Sequence, residues 1–179
     1  MDDDLTPRRA ADSEVELVQL MTILDANNVG NVHGGSIMKL VDTAAGLAAA
    51  KHSRGLVVTA AMDEMSFIEP VYVGDLVTIK AMVNDVGRTS MEVGVRVEAE
   101  NTVSGRKVHS SSAYLVFVAL DADGKPRPVP PVLVATEEER QRQHEAKLRR
   151  ENRMARGAAI KDARGRHEVQ ETREDHQRG

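Results

Sequence analysis

The chain has 179 residues, 41% of them hydrophobic, and a net charge of −4, which suits one domain of ordinary size with a tail. It contains no cysteine, which excludes disulfides, thiolate metal sites and a cysteine nucleophile. Two Phe, two Tyr and no Trp leave the core to Val, Leu, Ile, Met and Ala. The charge is uneven: residues 136–179 carry 12 Lys and Arg against 10 Asp and Glu, a net of +2 against −6 for residues 1–135. An acidic body with a mixed-charge tail gives no nucleic-acid footprint. Residues 1–14 lack the apolar run of a signal peptide and nothing approaches a membrane span, so the expected location is cytoplasmic.

In chain order, residues 1–13 are expected to be disordered and 14–135 to form the domain. Glu14–Leu24 reads as a strand. The stretch from Asp25 to Asp42 holds Asn27, Gly30, Asn31, His33, Gly34 and Gly35, a turn followed directly by a helix start. The helix is expected over about Gly34–Ser53, because Ile37, Leu40, Val41, Ala44, Leu47 and Ala48 recur at helical spacing, and Arg54-Gly55 ends it. So apolar a helix is normally buried, which makes Asp42 in its middle conspicuous.

Leu56–Phe67 reads as a strand closed by Glu69-Pro70. Three longer runs follow, Leu76–Val86, Met91–Glu100 and Val108–Leu120, joined by turns short enough for antiparallel neighbours. In the second, Met91, Val93, Val95, Val97 and Ala99 alternate with Glu92, Gly94, Arg96, Glu98 and Glu100, the pattern of a sheet covered on one side. The Pro-rich Lys125–Val132 reads as a surface linker. Thr136 followed by three glutamates reads as an N-cap, opening a charged helix to about Arg156; from Gly157 onward disorder is expected. The fold class is α+β, one helix wrapped by a mostly antiparallel sheet. Covering the helix's other face and the sheet edges calls for a homodimer at least.

A helix start preceded by Gly-Gly offers unpaired N–H groups and a positive dipole end, which suit an anion or a carbonyl oxygen becoming negative. Gly34 and Gly35 are the candidate donors. Asn27 could donate from its side-chain amide to the same oxygen or hold a water, and Asp42 could act as general base or nucleophile. Each residue also has a plain structural reading: a tight turn for Gly34-Gly35, a turn former for Asn27, an exposed carboxylate for Asp42. His33 reads as a structural hydrogen-bonder. Asp42 lies eight residues past Gly34, about 12 Å along a helix, so the two serve one reaction only if they come from different subunits. The six histidines are scattered without ligand spacing, and no metal site is expected.

Asp25-Ala26-Asn27, Gly30-Asn31-Val32-His33-Gly34-Gly35, Asp42 and Ala45-Gly46 keep their order with Val57-Val58-Thr59, Met65-Ser66-Phe67, Val73-Gly74-Asp75 and Arg88-Thr89-Ser90. Together, over roughly residues 15–121, they resemble the hotdog-fold acyl-CoA thioesterases of the cytosolic, brain-type acyl-CoA hydrolase family. The resemblance implies a hotdog fold, an antiparallel sheet wrapped around one long central helix. It implies hydrolysis of fatty acyl-CoA to free acid and CoA, with no cofactor beyond the CoA of substrate and product. By position, Asn27 and Asp42 match the catalytic Asn and acid, and Gly34-Gly35 the turn whose amide polarises the thioester carbonyl. Thr59, Arg88, Thr89 and Ser90 match positions near CoA. It further implies a composite site between subunits and a homo-oligomer, often a hexamer built as a trimer of dimers.

Two rivals stand beside this reading. A hotdog hydroxyacyl-thioester dehydratase would need a His–acid pair, which His33 and Asp42 match poorly. A non-catalytic acyl-CoA sensor would need a DNA-binding helical unit, for which the single tail helix is a poor candidate.

Overall fold

The computed structural model describes residues 4–177, with side chains described to residue 164. The chain divides into two compact units, Met1–Gln143 and His144–Gly179. Its elements, in order, are β1 (Arg8–Arg9), β2 (Val15–Leu20), α1 (Gly34–Ser53), β3 (Leu56–Phe67), β4 (Asp75–Val86), β5 (Ser90–Asn101), β6 (Lys107–Leu120), β7 (Val132–Leu133) and α2 (Glu137–Gln177), with 3-10 turns at Ala10–Ser13 and Ile23–Asp25.

In the first unit β2 to β6 form one five-stranded sheet in the order β2-β4-β5-β6-β3, every neighbour antiparallel. The expected alternation is what builds it: Val77, Ile79, Ala81 and Val83 of β4 and Met91, Val93, Val95, Val97 and Ala99 of β5 are buried in one core with α1. The helix contributes Ile37, Val41, Ala44, Ala45, Ala48 and Ala49, a stripe whose small side chains let the sheet close around it. The far face of the sheet departs from the solvated face that alternation suggested. Asn84, Asp85 and Glu92 are buried there, and Asn84 Nδ2 donates to Glu92 Oε1 at 3.3 Å. That amide lies where a Cβ on Gly94 would come within 2.6 Å of it.

The N-terminal segment corrects the expectation of disorder over 1–13; residues 1–3 lie outside the described residues. Arg8–Arg9 pairs in parallel with Val132–Leu133, and Arg8 N donates to Pro131 O at 2.9 Å. Ser13 is fully buried, its Oγ donating to Ala10 O at 2.6 Å and accepting from Val83 N at 2.9 Å. The Pro-rich segment therefore supplies a backbone partner for the N-terminus instead of running free.

Both segments converge on the C-terminal end of α1. Arg8 donates to His52 O, and Arg127 Nη2 donates to Ser53 O at 2.7 Å, so two guanidinium groups serve the last carbonyls of the helix. His52 is buried, and its Nε2 bonds Pro130 O at 3.0 Å. Burial holds its pKa below the ordinary imidazole value, against the Pro130 bond, which acts to raise it. A Cβ on Gly55 would lie 2.4 Å from Arg127 Nη2. Gly55→Ala is accordingly expected to displace that guanidinium and lower stability by about 1–2 kcal/mol, read as a lower urea midpoint. In an Arg127→Ala background the same substitution should cost almost nothing.

α2 opens with a capping box. Glu139 N donates to Thr136 Oγ1 at 3.1 Å, and Glu139 Oε2 accepts from Thr136 N and Ala135 N at 3.1 and 2.6 Å. Those backbone bonds hold the Glu139 carboxyl below its ordinary pKa. In the second unit the helix runs on to Gln177, past the Arg156 end and the disorder expected from Gly157. Ala155, Ala158, Ala159 and the surrounding Arg and Lys are strong helix formers, enough to carry two interior glycines, Gly157 and Gly165, at about 1 kcal/mol each.

Candidate active site

The turn before α1 is held by a dense set of local bonds. Asp25 Oδ2 accepts from Thr22 N and Oγ1, both at 2.9 Å, and Asp25 O accepts from His33 N at 2.6 Å. Asn27 N donates to Asn31 O at 2.7 Å, and Gly30, at φ 92°, turns the chain between them. The Asn27 side chain is locked by the same turn, since its Oδ1 accepts from Val29 N at 2.9 Å and Asn31 N at 3.1 Å. Two backbone donors on one atom identify that atom as the oxygen. The Nδ2 amino group has no partner among the described residues, so Asn27 enters the site as a donor.

At the helix start His33 is the N-cap, and its Nδ1 accepts from Gly35 N at 2.8 Å. This corrects one half of the Gly34-Gly35 expectation: the Gly35 amide is already occupied. Local reading missed it because imidazole is not among the usual capping groups, which are Ser, Thr, Asp and Asn. Gly34 N–H has no partner among the described residues. A cavity of about 380 Å³ lies beside this residue, lined by Asn27, Val32, Gly34, Ile37, Phe67 and Ser110 among others. The Phe67 ring flanks the glycine closely; a Cβ on Gly34 would meet its Cζ at 3.4 Å.

Asp42 is two turns further on, and the structure corrects its expected burial. In the chain by itself it is exposed, and α1 also exposes Met38 (41%) beside it and Leu47 (48%) further round the helix. Thr59 Oγ1 donates to Asp42 Oδ1 at 2.8 Å. Thr59, expected near CoA, is therefore the partner of the carboxylate. The register slips between Thr59 and Ala61 in the β3–β6 pairing, a bulge of the kind that re-aims side chains beside functional sites. β3 is also an edge strand, and Leu56, Val58 and Phe67 on it are about half exposed or more. Asp42 does not line the Gly34 cavity of its own chain, and the eight-residue separation is about 12 Å of helix.

Arg88, Thr89 and Ser90 form the β4–β5 turn, closed by Gly87 N donating to Ser90 O at 2.7 Å. Ser90 pairs with Val118 and Leu56 with Leu120, which puts this turn at the start of β3. The cavity is at the other end, beside Phe67, so one chain does not bring the turn and the cavity together. Ser110 does reach the cavity, with its Oγ donating to Glu69 O at 2.9 Å. Among the described residues no group of three or more His, Asp or Glu forms a metal-ligand set, and no helix is long and apolar enough to cross a membrane.

Comparison with known proteins bears on this arrangement. The sequence pattern of the thioesterase superfamily matches residues 29–105. An uncharacterized acyl-CoA thioester hydrolase of Bacillus subtilis is 38% identical over 165 residues, covering 89% of this chain and 96% of that protein. The mouse cytosolic acyl-CoA thioester hydrolase is 36% identical over 145 residues, which are 80% of this chain but 38% of the longer mouse protein. A hexameric acyl-CoA thioesterase crystallised without ligand superposes with a TM-score of 0.83 at 37% identity, over 86% of this chain and 98% of that one. The Staphylococcus aureus acyl-CoA hydrolase, solved with butyryl-CoA, CoA and CoA disulfide, gives 0.81 at 32% identity over 87% and 95%. The same enzyme has been solved with an asparagine, an aspartate or a threonine replaced by alanine. These lie fifteen and seventeen residues apart in that order, the spacing of Asn27, Asp42 and Thr59 here.

Proposed function

Because the chain belongs to the thioesterase superfamily, among its acyl-CoA hydrolases, we infer that it hydrolyses fatty acyl-CoA to free fatty acid and CoA at sites shared between two subunits of a homo-oligomer. The observation that carries the shared site is the separation within one chain. The open Gly34 amide and the Asn27 amino group meet at one cavity, while Asp42 and Thr59 lie on an uncovered face about 12 Å away. A two-fold axis beside β3 and α1 covers that face, sets two α1 helices antiparallel, and delivers each Asp42 to the partner's Gly34 end.

In the resulting site the thioester carbonyl oxygen is held by Gly34 N–H and Asn27 Nδ2, donors placed where negative charge develops. The Thr59 hydroxyl fixes one oxygen of the Asp42 carboxylate and leaves the other facing the carbonyl carbon. From there Asp42 either takes a proton from water, which attacks the carbon as CoA leaves as its thiol, or attacks directly to form an anhydride that water then opens. Incorporation of water-derived oxygen into Asp42 during a single turnover distinguishes the second route. The matching Asn, Asp and Thr spacing of the S. aureus variants supports this set of residues.

Neither route uses a group beyond the thioester and water, so the reading assigns no cofactor. The same two-fold axis brings the partner's β4–β5 turn toward the cavity end, which supports Arg88, Thr89 and Ser90 as contacts for the CoA phosphates. Hexameric relatives support a trimer of such dimers, and the cytosolic relative supports a cytoplasmic location. Dehydration is disfavoured by the occupied His33 ring, whose Nδ1 is committed to Gly35.

Subunit mixing tests the shared site, alongside thiol release from acyl-CoAs of C2 to C18. Asn27→Ala and Asp42→Ala chains, each inactive alone, are unfolded together and reassembled. Each mixed dimer then holds one intact site, and random assembly should restore about a quarter of wild-type activity. No recovery, with mixed dimers demonstrated by mass, would place Asn27 and Asp42 in the same subunit's site.

A further inference from the structure

We propose that His33 is a positioning residue for thioester hydrolysis, one that leaves a single backbone donor open at the start of α1. The inference rests on the reading of Gly34 N–H as the donor to the thioester carbonyl. A helix begins with four N–H groups that have no partner within it, here those of His33, Gly34, Gly35 and Ser36. His33 accounts for three of them. Its own N–H goes to Asp25 O at 2.6 Å, its carbonyl accepts from Ser36 N at 2.9 Å, and its ring Nδ1 accepts from Gly35 N at 2.8 Å. Among the described residues only Gly34 N–H is left without a partner, and Gly34 lines the cavity.

The ring can lie there because Gly35 is a glycine. A Cβ at that position would stand 3.0 Å from His33 Nδ1 and 3.2 Å from its Cε1, tighter than a relaxed contact. Accepting through Nδ1 requires the tautomer with its proton on Nε2, so the imidazole works here as a neutral acceptor. A helix start with two adjacent open amides would let the carbonyl oxygen choose between them. Closing one defines the angle at which the thioester meets the nucleophile, and misplacement by about 1 Å costs about 10²-fold.

Three variants test this together. Asn at position 33 places its Oδ1 where Nδ1 stands and is itself a favoured N-cap, whereas Gln reaches toward the Nε2 position and leaves Gly35 N–H open. His33→Asn is expected to keep kcat within about 3-fold, and His33→Gln to lose about 10- to 100-fold in kcat with KM little changed. Gly34→Pro tests the underlying reading. Proline is favoured at the first helical position, the preceding residue already has φ −65° and ψ 129°, and the substitution removes the open N–H while its ring meets Phe67 at an ordinary contact distance of 3.4 Å. It should lower kcat about 10²- to 10³-fold in a folded enzyme. Equal activity of the Asn and Gln variants, with Gly34→Pro inactive, would overturn the His33 proposal alone. A fully active Gly34→Pro would overturn the donor reading and the proposal with it. A Gln variant more active than the Asn variant would assign the ring's role to Nε2 and also overturn it.

Discussion

Asp42→Asn is expected to lower kcat for acyl-CoA hydrolysis by about 10³-fold while leaving the fold intact. The substitution is close to isosteric, and an asparagine oxygen still accepts the 2.8 Å hydrogen bond from Thr59 Oγ1. What is removed is the capacity to take a proton or attack a carbonyl, and a positioned general base contributes about 10²–10⁴-fold. Because Asp42 is exposed in the single chain, replacing it should change the monomer's stability by less than about 0.5 kcal/mol. Thiol release under saturating substrate, with a binding measurement beside it, decides the matter. Intact binding with collapsed kcat is the expected pattern, since the carboxylate acts in the transition state and contributes little to ground-state affinity. Wild-type turnover by the variant would remove Asp42 from the chemistry.

The second large effect belongs to Asn27→Asp, which separates the residue's two roles. The structural role is carried by Oδ1, which accepts two backbone N–H groups of the turn, and a carboxylate accepts them at least as well. The proposed chemical role is carried by Nδ2, and aspartate puts a negative oxygen there, facing the oxygen on which charge develops. Loss of one such donor costs about 10²–10³ in kcat, and the added repulsion works in the same direction. Asn27→Asp should therefore unfold at the wild-type midpoint or above while turning over at least about 10²-fold more slowly. Asn27→Ala should lose activity and also stability, by about 0.5–1.5 kcal/mol for each turn bond it breaks. An Asn27→Asp enzyme within a few-fold of wild type would assign Asn27 to the turn alone.

These two residues show what the sequence made legible. Helical and twofold spacing was enough to recover α1 and the strands of the sheet, because Val41, Ala44, Ile79, Val93 and their neighbours are apolar where the core needs them. Asn27, Gly34 and Asp42 were conspicuous because polar and glycine residues interrupt such patterns. What stayed hidden depends on contacts between distant positions. The Thr59 hydroxyl reaches Asp42 from another element, and nothing local to Thr59 announces it. His33 occupies the Gly35 amide through a ring whose capping ability depends on its tautomer. The burial of Ser13 follows from Val83 seventy residues away. Asp42 looked buried because the helix is apolar on more than one face, and the monomer covers only one of them.

The pairing of Arg8–Arg9 with Val132–Leu133 joins segments roughly 120 residues apart, and that distance has a consequence for how the chain reaches its native state. Closing a loop of that length in a disordered chain costs about 4 kcal/mol in the logarithmic term alone, far more than two short strands return. The clasp therefore forms only after the sheet has already drawn its ends together, and it opens first when the protein breathes. The His52 carbonyl that Arg8 serves is thus tied off last, after Arg127, which β6 already holds through Ala119 O and Leu120 O, has reached Ser53 O. The helix is secured at its Gly34 end by bonds among near neighbours and at His52 by the closure with the largest loop-entropy cost of those described here.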